Sequence, residues 1–362
     1  VHASDELIMD AIRSTAVEAL FSDDLDRVQR VEALGLHPLQ LVIAFRSRDQ
    51  ELPSGVVALP DALAYAGDFA LVLPNASDGA LIVFSSGTSG IPKAIEYSHE
   101  QVICAVRCIA AAFSDVPEAT RLVCWLPLSN LFQRIIDFVG ILRGDRTWVL
   151  ATPQDVMAAV KAVRPEVLIG VPRFFERIHE GLGARLRNLP GFLSDVAGGA
   201  LARSSFDARG RRPRWSRFIV SPLIRLLVRR IFGGEVRLLI SGSAPMPLWL
   251  HAFFEDCGLP VYEAYGVSEC VVPIALNRPG ERRVGSVGRP LPESEVRISA
   301  EGEVEVRGPG LFSGYVGGGS DAPAPGEDGF WRTGDLGRID AEGYLWIEGR
   351  RQDTFKLSTG RW

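Results

Sequence analysis

Three short runs, LIVF at 81–84, VLIGV at 167–171 and VRLLIS at 236–241, lack the apolar–polar alternation of a half-exposed strand. A strand with one face in water alternates, because successive side chains point to opposite sides of the sheet. Non-alternating apolar runs fit strands covered on both faces, as in a mostly parallel sheet sandwiched by helices. Helical patterns lie between them. Val102, Ile103, Val106, Ile109, Ala110 and Phe113 share one helical face. Ser98-His-Glu-Gln is a capping-box pattern and predicts that this helix starts at about Ser98. The expected fold class is α/β, with stacked, mostly parallel sheets flanked by helices, followed by a smaller antiparallel β subdomain.

The pattern changes near residue 283. EVRISAEGEVEVRG and GRIDAEGYLWIEGR alternate, and Ala300-Glu-Gly302 and Asp340-Ala-Glu-Gly343 are hairpin turn signals. The expected organisation is an α/β body over 1–282, a β-rich subdomain over 283–350 and a hinge segment over 351–362. SGYVGGGSDAPAPGEDG, 313–329, reads as a Gly/Pro-rich surface loop. There are no internal repeats.

A net charge of −5 disfavours a general nucleic-acid binder. The most apolar long stretch, IVSPLIRLLVRRIF at 219–232, is interrupted by Pro222, Arg225, Arg229 and Arg230, so no membrane span is expected. The five cysteines, Cys104, Cys108, Cys124, Cys257 and Cys270, have no metal-ligand spacing and suit buried, reduced thiols in the cytoplasm. Eight arginines fall between 209 and 230. They fit either a solvated amphipathic helix or a docking patch for an acidic partner or a phosphate-bearing ligand.

Four segments carry candidate chemistry. In SSGTSGIPK, Gly87 and Gly90 let backbone N–H groups approach a ligand, Ser85, Ser86, Thr88 and Ser89 offer hydroxyls, and Lys93 offers a charge. The stretch is a phosphate cradle or a plain turn; Ile91 and Pro92 before the lysine exclude the Walker spacing. In VYEAYGVSEC a strand ends in Tyr265-Gly266, an aromatic face beside open space, followed by Ser268 and Glu269, whose oxygens suit Mg²⁺. In RLLISGSAPMP a buried strand opens into Gly242, Ser243 and Ala244, small enough for a flat ligand to lie on the main chain. In WRTGDLG, Asp335 is expected in a tight Thr-Gly-Asp turn, and Arg350 at a strand end; an Asp can accept from a ribose diol and an Arg can bind phosphate.

In this order, these segments resemble the adenylate-forming superfamily of acyl- and aryl-CoA synthetases, peptide-synthetase adenylation domains and firefly luciferase. SSGTSGIPK looks like its phosphate loop, YGVSE like its adenine and magnesium motif, GEVEVRGPGLFSGY and WRTGDLG like its later core motifs, and GRRQDTFKLSTGRW like its hinge. WLPLSNLFQR, IGVPRFFERIHEGL and FKLSTG look most like the long-chain fatty acyl-CoA synthetase branch. The resemblance implies ATP-dependent adenylation of a hydrophobic carboxylic acid, then transfer to a thiol, coenzyme A or a carrier protein's pantetheine. By position it implies that Thr88, Ser89, Gly90 and Lys93 hold the β- and γ-phosphates, with Ser85 also among the nucleotide-binding residues. Gly242, Ser243 and Ala244 would line the adenine and Tyr265 would stack on it. Ser268 would contact phosphate and Glu269 would bind Mg²⁺. Asp335 would take the ribose hydroxyls, with Arg350 beside the ribose and phosphate. Ser243, Gly266 and Asn130 would face the acid. Lys93, Ser268 and Glu269 are the implied catalytic residues.

The chain departs from the family pattern at three places. Ser268 stands where Thr is common, Asn130 where acyl-CoA synthetases often carry His, and Gln352 where the hinge residue is usually Asp or Lys. Against the family pattern, a stretch before Val1 and the small domain after Trp362, with its adenylation lysine, are expected to be missing; the chain is then expected to bind nucleotide but adenylate poorly. Two alternatives stay open: a stand-alone adenylating enzyme with another acceptor (a carrier protein, or an amine after activation of an oxyanion such as nitrite), and a non-catalytic nucleotide-binding relative.

Overall fold

The structure, a computed structural model, describes residues 5–24, 26–27, 29–30, 40–45, 52, 55–65, 72–85, 93–187, 222–317 and 323–353. Its contacts divide the chain into two units, Val1–His99 with Ser313–Ala324, and Glu100–Phe312 with Pro325–Trp362.

In the first unit, helix α1 (Asp5–Thr15) buries Met9 and Ile12 against Ile8 and Val17. A parallel sheet follows in the order β1 (Ala19–Ser22), β2 (Leu41–Ala44), β3 (Val56–Ala58), and then helix α2 (Leu59–Ala64). Strands β4 (Gly79–Ser85) and β5 (Lys93–Ser98) form an antiparallel pair that closes with Ser85 opposite Lys93. This corrects the expectation for LIVF. The run is not a parallel strand covered on both faces: Val83 is buried, but Phe84, on the other face, is 41% exposed. The apolar run was ambiguous because a hairpin partner lay only eight residues ahead, beyond SSGTSGIP. The segment 313–317 is also not wholly loop. Tyr315 bridges antiparallel to Ile95, and the Val316 N–H donates to Ala94 O at 2.9 Å.

The second unit begins along α3 (His99–Ala112), which starts one residue after the expected cap and buries Ala105, Val106, Cys108 and Ile109. Strand β6 (Arg121–Cys124), helix α4 (Leu131–Arg143) and strand β7 (Arg146–Val149) make a crossover unit whose strands pair in parallel. Asn130 caps α4, its Oδ1 accepting the Gln133 N–H at 3.3 Å, and Gly144 ends it in the left-handed region at φ 68°. Helix α5 (Val156–Val163), strand β8 (Val167–Gly170), helix α6 (Pro172–Arg187), helix α7 (Pro222–Ile231), strand β9 (Leu238–Ser241), helix α8 (Leu248–Asp256) and strand β10 (Val261–Tyr265) follow. Strands β8, β9 and β10 are parallel neighbours, and every residue of β8 and β9 is buried. Here the non-alternating runs do mark a sheet covered on both faces. Short β11 (Ala275–Leu276) and β12 (Arg289–Pro290) extend its edge antiparallel.

Strands β13 (Glu295–Ile298), β14 (Glu303–Arg307), β15 (Trp331–Ile339) and β16 (Leu345–Arg350) form an antiparallel sheet in sequence order. Both expected hairpin turns are present, closed by Gly302 N–H to Ser299 O at 3.0 Å and Gly343 N–H to Asp340 O at 2.9 Å. Of the arginine cluster, Arg225, Arg229 and Arg230 lie exposed on α7, as an amphipathic helix requires; the arginines from 209 to 217 lie outside the described residues. Among the described residues no helix is long and apolar enough to cross a membrane.

Candidate functional site

In the first unit the described part of the glycine-rich segment is its two ends. Ser85 is buried at the end of β4, and its Oγ lies 3.5 Å from Lys93 O on the opposite strand. The Lys93 ammonium sits 4.8 Å from the centroid of the Tyr315 ring, a cation–π contact at the tip of its side chain. Thr88, Ser89 and Gly90 lie outside the described residues.

In the second unit the parallel strands β8, β9 and β10 end side by side, and their C-terminal ends carry the candidate nucleotide residues. Gly242 follows β9 and donates its N–H to Gly170 O at 3.2 Å. A Cβ at Gly242 would lie 3.2 Å from the Phe132 ring, so only glycine leaves that ring undisturbed. Phe132 is two residues past the Asn130 cap, so the α4 start and the β9 end form one wall. Ser243 adopts φ 68°, a left-handed conformation unusual for a non-glycine residue and a mark of local strain. Ser243 and Ala244 are exposed beside it.

Tyr265 ends β10. Its phenol donates to Asp335 Oδ2 at 2.6 Å, and Arg350 Nε meets Asp335 Oδ1 at 2.8 Å. Asp335 is 4% exposed, so sequence positions 265, 335 and 350 converge on one buried carboxylate. Burial pushes the Tyr265 phenol well above its usual range, and the adjacent Asp335 charge pushes it further. Gly266, Ser268 and Glu269 follow on the loop after β10, Gly266 exposed and the other two half-buried. Glu269 is fixed through its backbone, its carbonyl accepting the Phe312 N–H at 2.9 Å. Cys270 beside it is buried, which pushes its thiol up to about 12 and keeps it from acting as a nucleophile at neutral pH.

The Thr-Gly-Asp segment is not a turn, contrary to the sequence expectation. It is a bulge inside the continuous strand β15. Glu305 pairs with Arg332 and Glu303 with Leu336, so β14 spends one residue where β15 spends three. A bulge of this kind twists the strand and re-aims a side chain, here Asp335, toward Tyr265. Glu303, to which the sequence assigned no role, accepts the Gly334 N–H at 3.0 Å and meets Arg351 Nη1 at 2.7 Å.

Asn130 serves as a helix cap. Behind the cap Gln133 is buried; it accepts the Leu126 N–H at 3.3 Å and donates to Asp137, itself half-buried, at 3.0 Å. Burial raises the Asp137 carboxyl, while its bonds to Cys124 and Gln133 oppose the shift. Beside this end of the sheet lies a cavity of about 430 Å³ bordered by Trp125, Met157, Val171, Phe174, Ile178 and Gly181. Lys161, Arg173 and Arg177 also line it, giving a mainly apolar chamber with cations. The Trp125 indole N–H donates to Ile169 O at 2.8 Å, which fixes that wall to β8.

A long-chain-fatty-acid–CoA ligase of Mycobacterium bovis is 27% identical over 297 residues, covering 79% of this chain and 49% of the relative. Long-chain-fatty-acid–CoA ligase 1 of Homo sapiens is 30% identical over 312 residues, covering 80% of this chain and 43% of the relative. The chain thus spans about half the length of these curated relatives. Among solved structures, ATP-bound MatB from Rhodopseudomonas palustris superposes with a TM-score of 0.73 at 24% identity, covering 98% of this chain and 63% of that one, a likeness of fold. The model of the AMP-binding enzyme family matches residues 2–316, and the chain belongs to that family.

Proposed function

We propose that the protein to which this chain belongs adenylates a hydrophobic carboxylic acid with ATP and passes the acyl group to a thiol. The observation that carries the reading is the buried Asp335 carboxylate between Tyr265 and Arg350 at the strand ends. A carboxylate is a strong acceptor for a vicinal diol, Tyr265 offers an aromatic face next to it, and Arg350 offers a charge for phosphate. Adenine would lie along Gly242, Ser243 and Ala244, of which Ser243 and Ala244 are exposed and Gly242 is covered by the Phe132 ring. Ser85, Thr88, Ser89, Gly90 and Lys93 would hold the β- and γ-phosphates, and Ser268 would add a hydroxyl.

Glu269 fits a Mg²⁺ ion, because Mg²⁺ binds through one or two carboxylates together with substrate phosphates and water, and a half-buried carboxylate suits that set. Mg²⁺ would supply charge neutralisation at the phosphate oxygens. In the first half-reaction an acid oxygen bonds to the α-phosphorus and the bond to the β-phosphate oxygen breaks, releasing pyrophosphate. In the second, a thiol sulfur bonds to the acyl carbon and AMP leaves. The protein would contribute position and charge, with Lys93 as the cation that stabilises the leaving pyrophosphate.

The apolar cavity supports a fatty or other hydrophobic acid, with coenzyme A or a carrier's pantetheine as the acceptor. Asn130, uncharged and engaged as a cap, supports the second reading, a different acceptor. The test is pyrophosphate release by the full-length protein across fatty, aryl and small acids and nitrite, followed by product analysis with coenzyme A, carrier protein or amine. Release with long acids and thioester formation support the reading. Lys93→Met is expected to slow release by about 100-fold or more. No acid-dependent release from any of these substrates would refute it.

A further inference from the structure

We infer that Glu303 is a positioning residue for the ribose-binding carboxylate: by bonding the Gly334 amide it sets the bulge that presents Asp335. The inference rests on the reading of Asp335 as the ribose acceptor. The bulge leaves backbone N–H groups without strand partners, because β14 has one residue opposite three. Side chains supply what the ladder cannot. Thr333 Oγ1 donates to Val304 O at 2.9 Å and accepts the Asp335 N–H at 3.2 Å. The Gly334 N–H points at Glu303 Oε1 at 3.0 Å. Gly334 has φ 77°, a left-handed conformation that glycine adopts without strain, and in it the N–H meets Glu303.

Glu303 is itself fixed. It is 3% exposed, and its second oxygen is paired with Arg351, the residue after Arg350. Successive arginines at the end of β16 therefore bind the two carboxylates of the bulge, Arg350 to Asp335 and Arg351 to Glu303. Glu303 reaches the bulge from the adjacent strand β14, and its two oxygens are engaged by Gly334 and Arg351. A buried acceptor with correct reach is what the geometry needs; the negative charge is secondary for the Gly334 bond, since an amide oxygen also accepts.

The test is the ribose selectivity of nucleotide binding, measured as the ratio of the Kd for 2′,3′-dideoxy-AMP to that for AMP by calorimetry. The unaltered chain checks the underlying reading first. A ratio of about tenfold or more is expected for hydroxyls bonded to a carboxylate; no AMP binding, or a ratio of one, would end the reading of Asp335 before Glu303 is altered. Glu303→Asp keeps the charge but falls one methylene short of Gly334, and is expected to bring the ratio to about twofold or less. Glu303→Gln keeps the reach and is expected to hold the ratio within about threefold of the unaltered chain. A general loss of packing would weaken both nucleotides together and leave their ratio unchanged. The inference is overturned if the folded Asp variant keeps full selectivity, or if the folded Gln variant loses it. If Glu303→Asp does not fold, Glu303→Ser takes its place with the same expected loss.

Discussion

Replacing Tyr265 with Phe removes one oxygen and leaves the ring. The lost bond is short, 2.6 Å, and ends on a carboxylate that is 4% exposed. A hydrogen bond to a charged group contributes about 1.5–3 kcal/mol, and its loss leaves a buried oxygen short of a partner. Arg350, the other partner of Asp335, has a side chain 60% exposed, so that pair contributes about 0–1 kcal/mol and does not make up the difference. The expected loss at pH 7 is therefore about 1.5–3 kcal/mol, read as a lower denaturant midpoint for the second unit. The tyrosine also leaves a signature at high pH. Its folded-state pKa is raised above the usual 10, so the unfolded chain releases the phenolic proton first. The stability held below pH 10 is then lost as pH rises through the folded value, at up to about 1.4 kcal/mol per pH unit. Tyr265→Phe lacks that alkaline contribution, so the two stability curves converge above pH 10. The assay is guanidinium unfolding from pH 7 to 11, with AMP titrations alongside in which the phenyl ring preserves stacking. Equal midpoints at pH 7 together with parallel alkaline limbs would refute the placement of this bond.

Gly181 borders the cavity, and a Cβ there meets nothing within 4 Å. Gly181→Leu is expected to raise stability by roughly 0.5–1 kcal/mol through helix propensity, while lowering pyrophosphate release with long acids more than with short ones; equal effects on both would remove the cavity from the acid's path. The Asp340 carboxyl is pushed up by burial, but bonds from the Trp346 indole, the Tyr344 amide and Arg283 outweigh this and hold it at about 2. Its stabilisation is present above pH 3.8 and lost as pH falls toward 2, so Asp340→Asn should flatten the acid limb of a stability–pH curve in that window. Gly288 has φ 96°, and a Cβ would fall 2.0 Å from the Leu276 carbonyl carbon. Gly288→Ala is expected to cost more than about 4 kcal/mol and to yield little folded protein, measured by expression and circular dichroism.

How much of this was readable from the chain differs by element. The runs VLIGV and VRLLIS announced strands buried on both faces because their apolar character leaves no water-facing side, and the hairpins at Gly302 and Gly343 followed from turn chemistry. The chemistry-bearing residue types, in order, also sufficed to suggest the family. LIVF misled because a short apolar run does not say whether its partner is parallel or antiparallel. TGD misled because a bulge and a turn share the same glycine signal, and only the opposing strand distinguishes them.

The sequence by itself determined the covered sheet, the antiparallel hairpins and the set of hydroxyl, cationic, aromatic and carboxylate groups, since each depends on local periodicity or on side-chain chemistry. The tertiary structure decided which of those groups meet. Tyr265 and Asp335 are 70 positions apart, and their contact exists because β10 and the bulged β15 bring them within 2.6 Å. Glu303 was silent in the sequence for the same reason: its role depends on two extra residues in the neighbouring strand, and register between strands is set by packing across the sheet rather than by either strand alone.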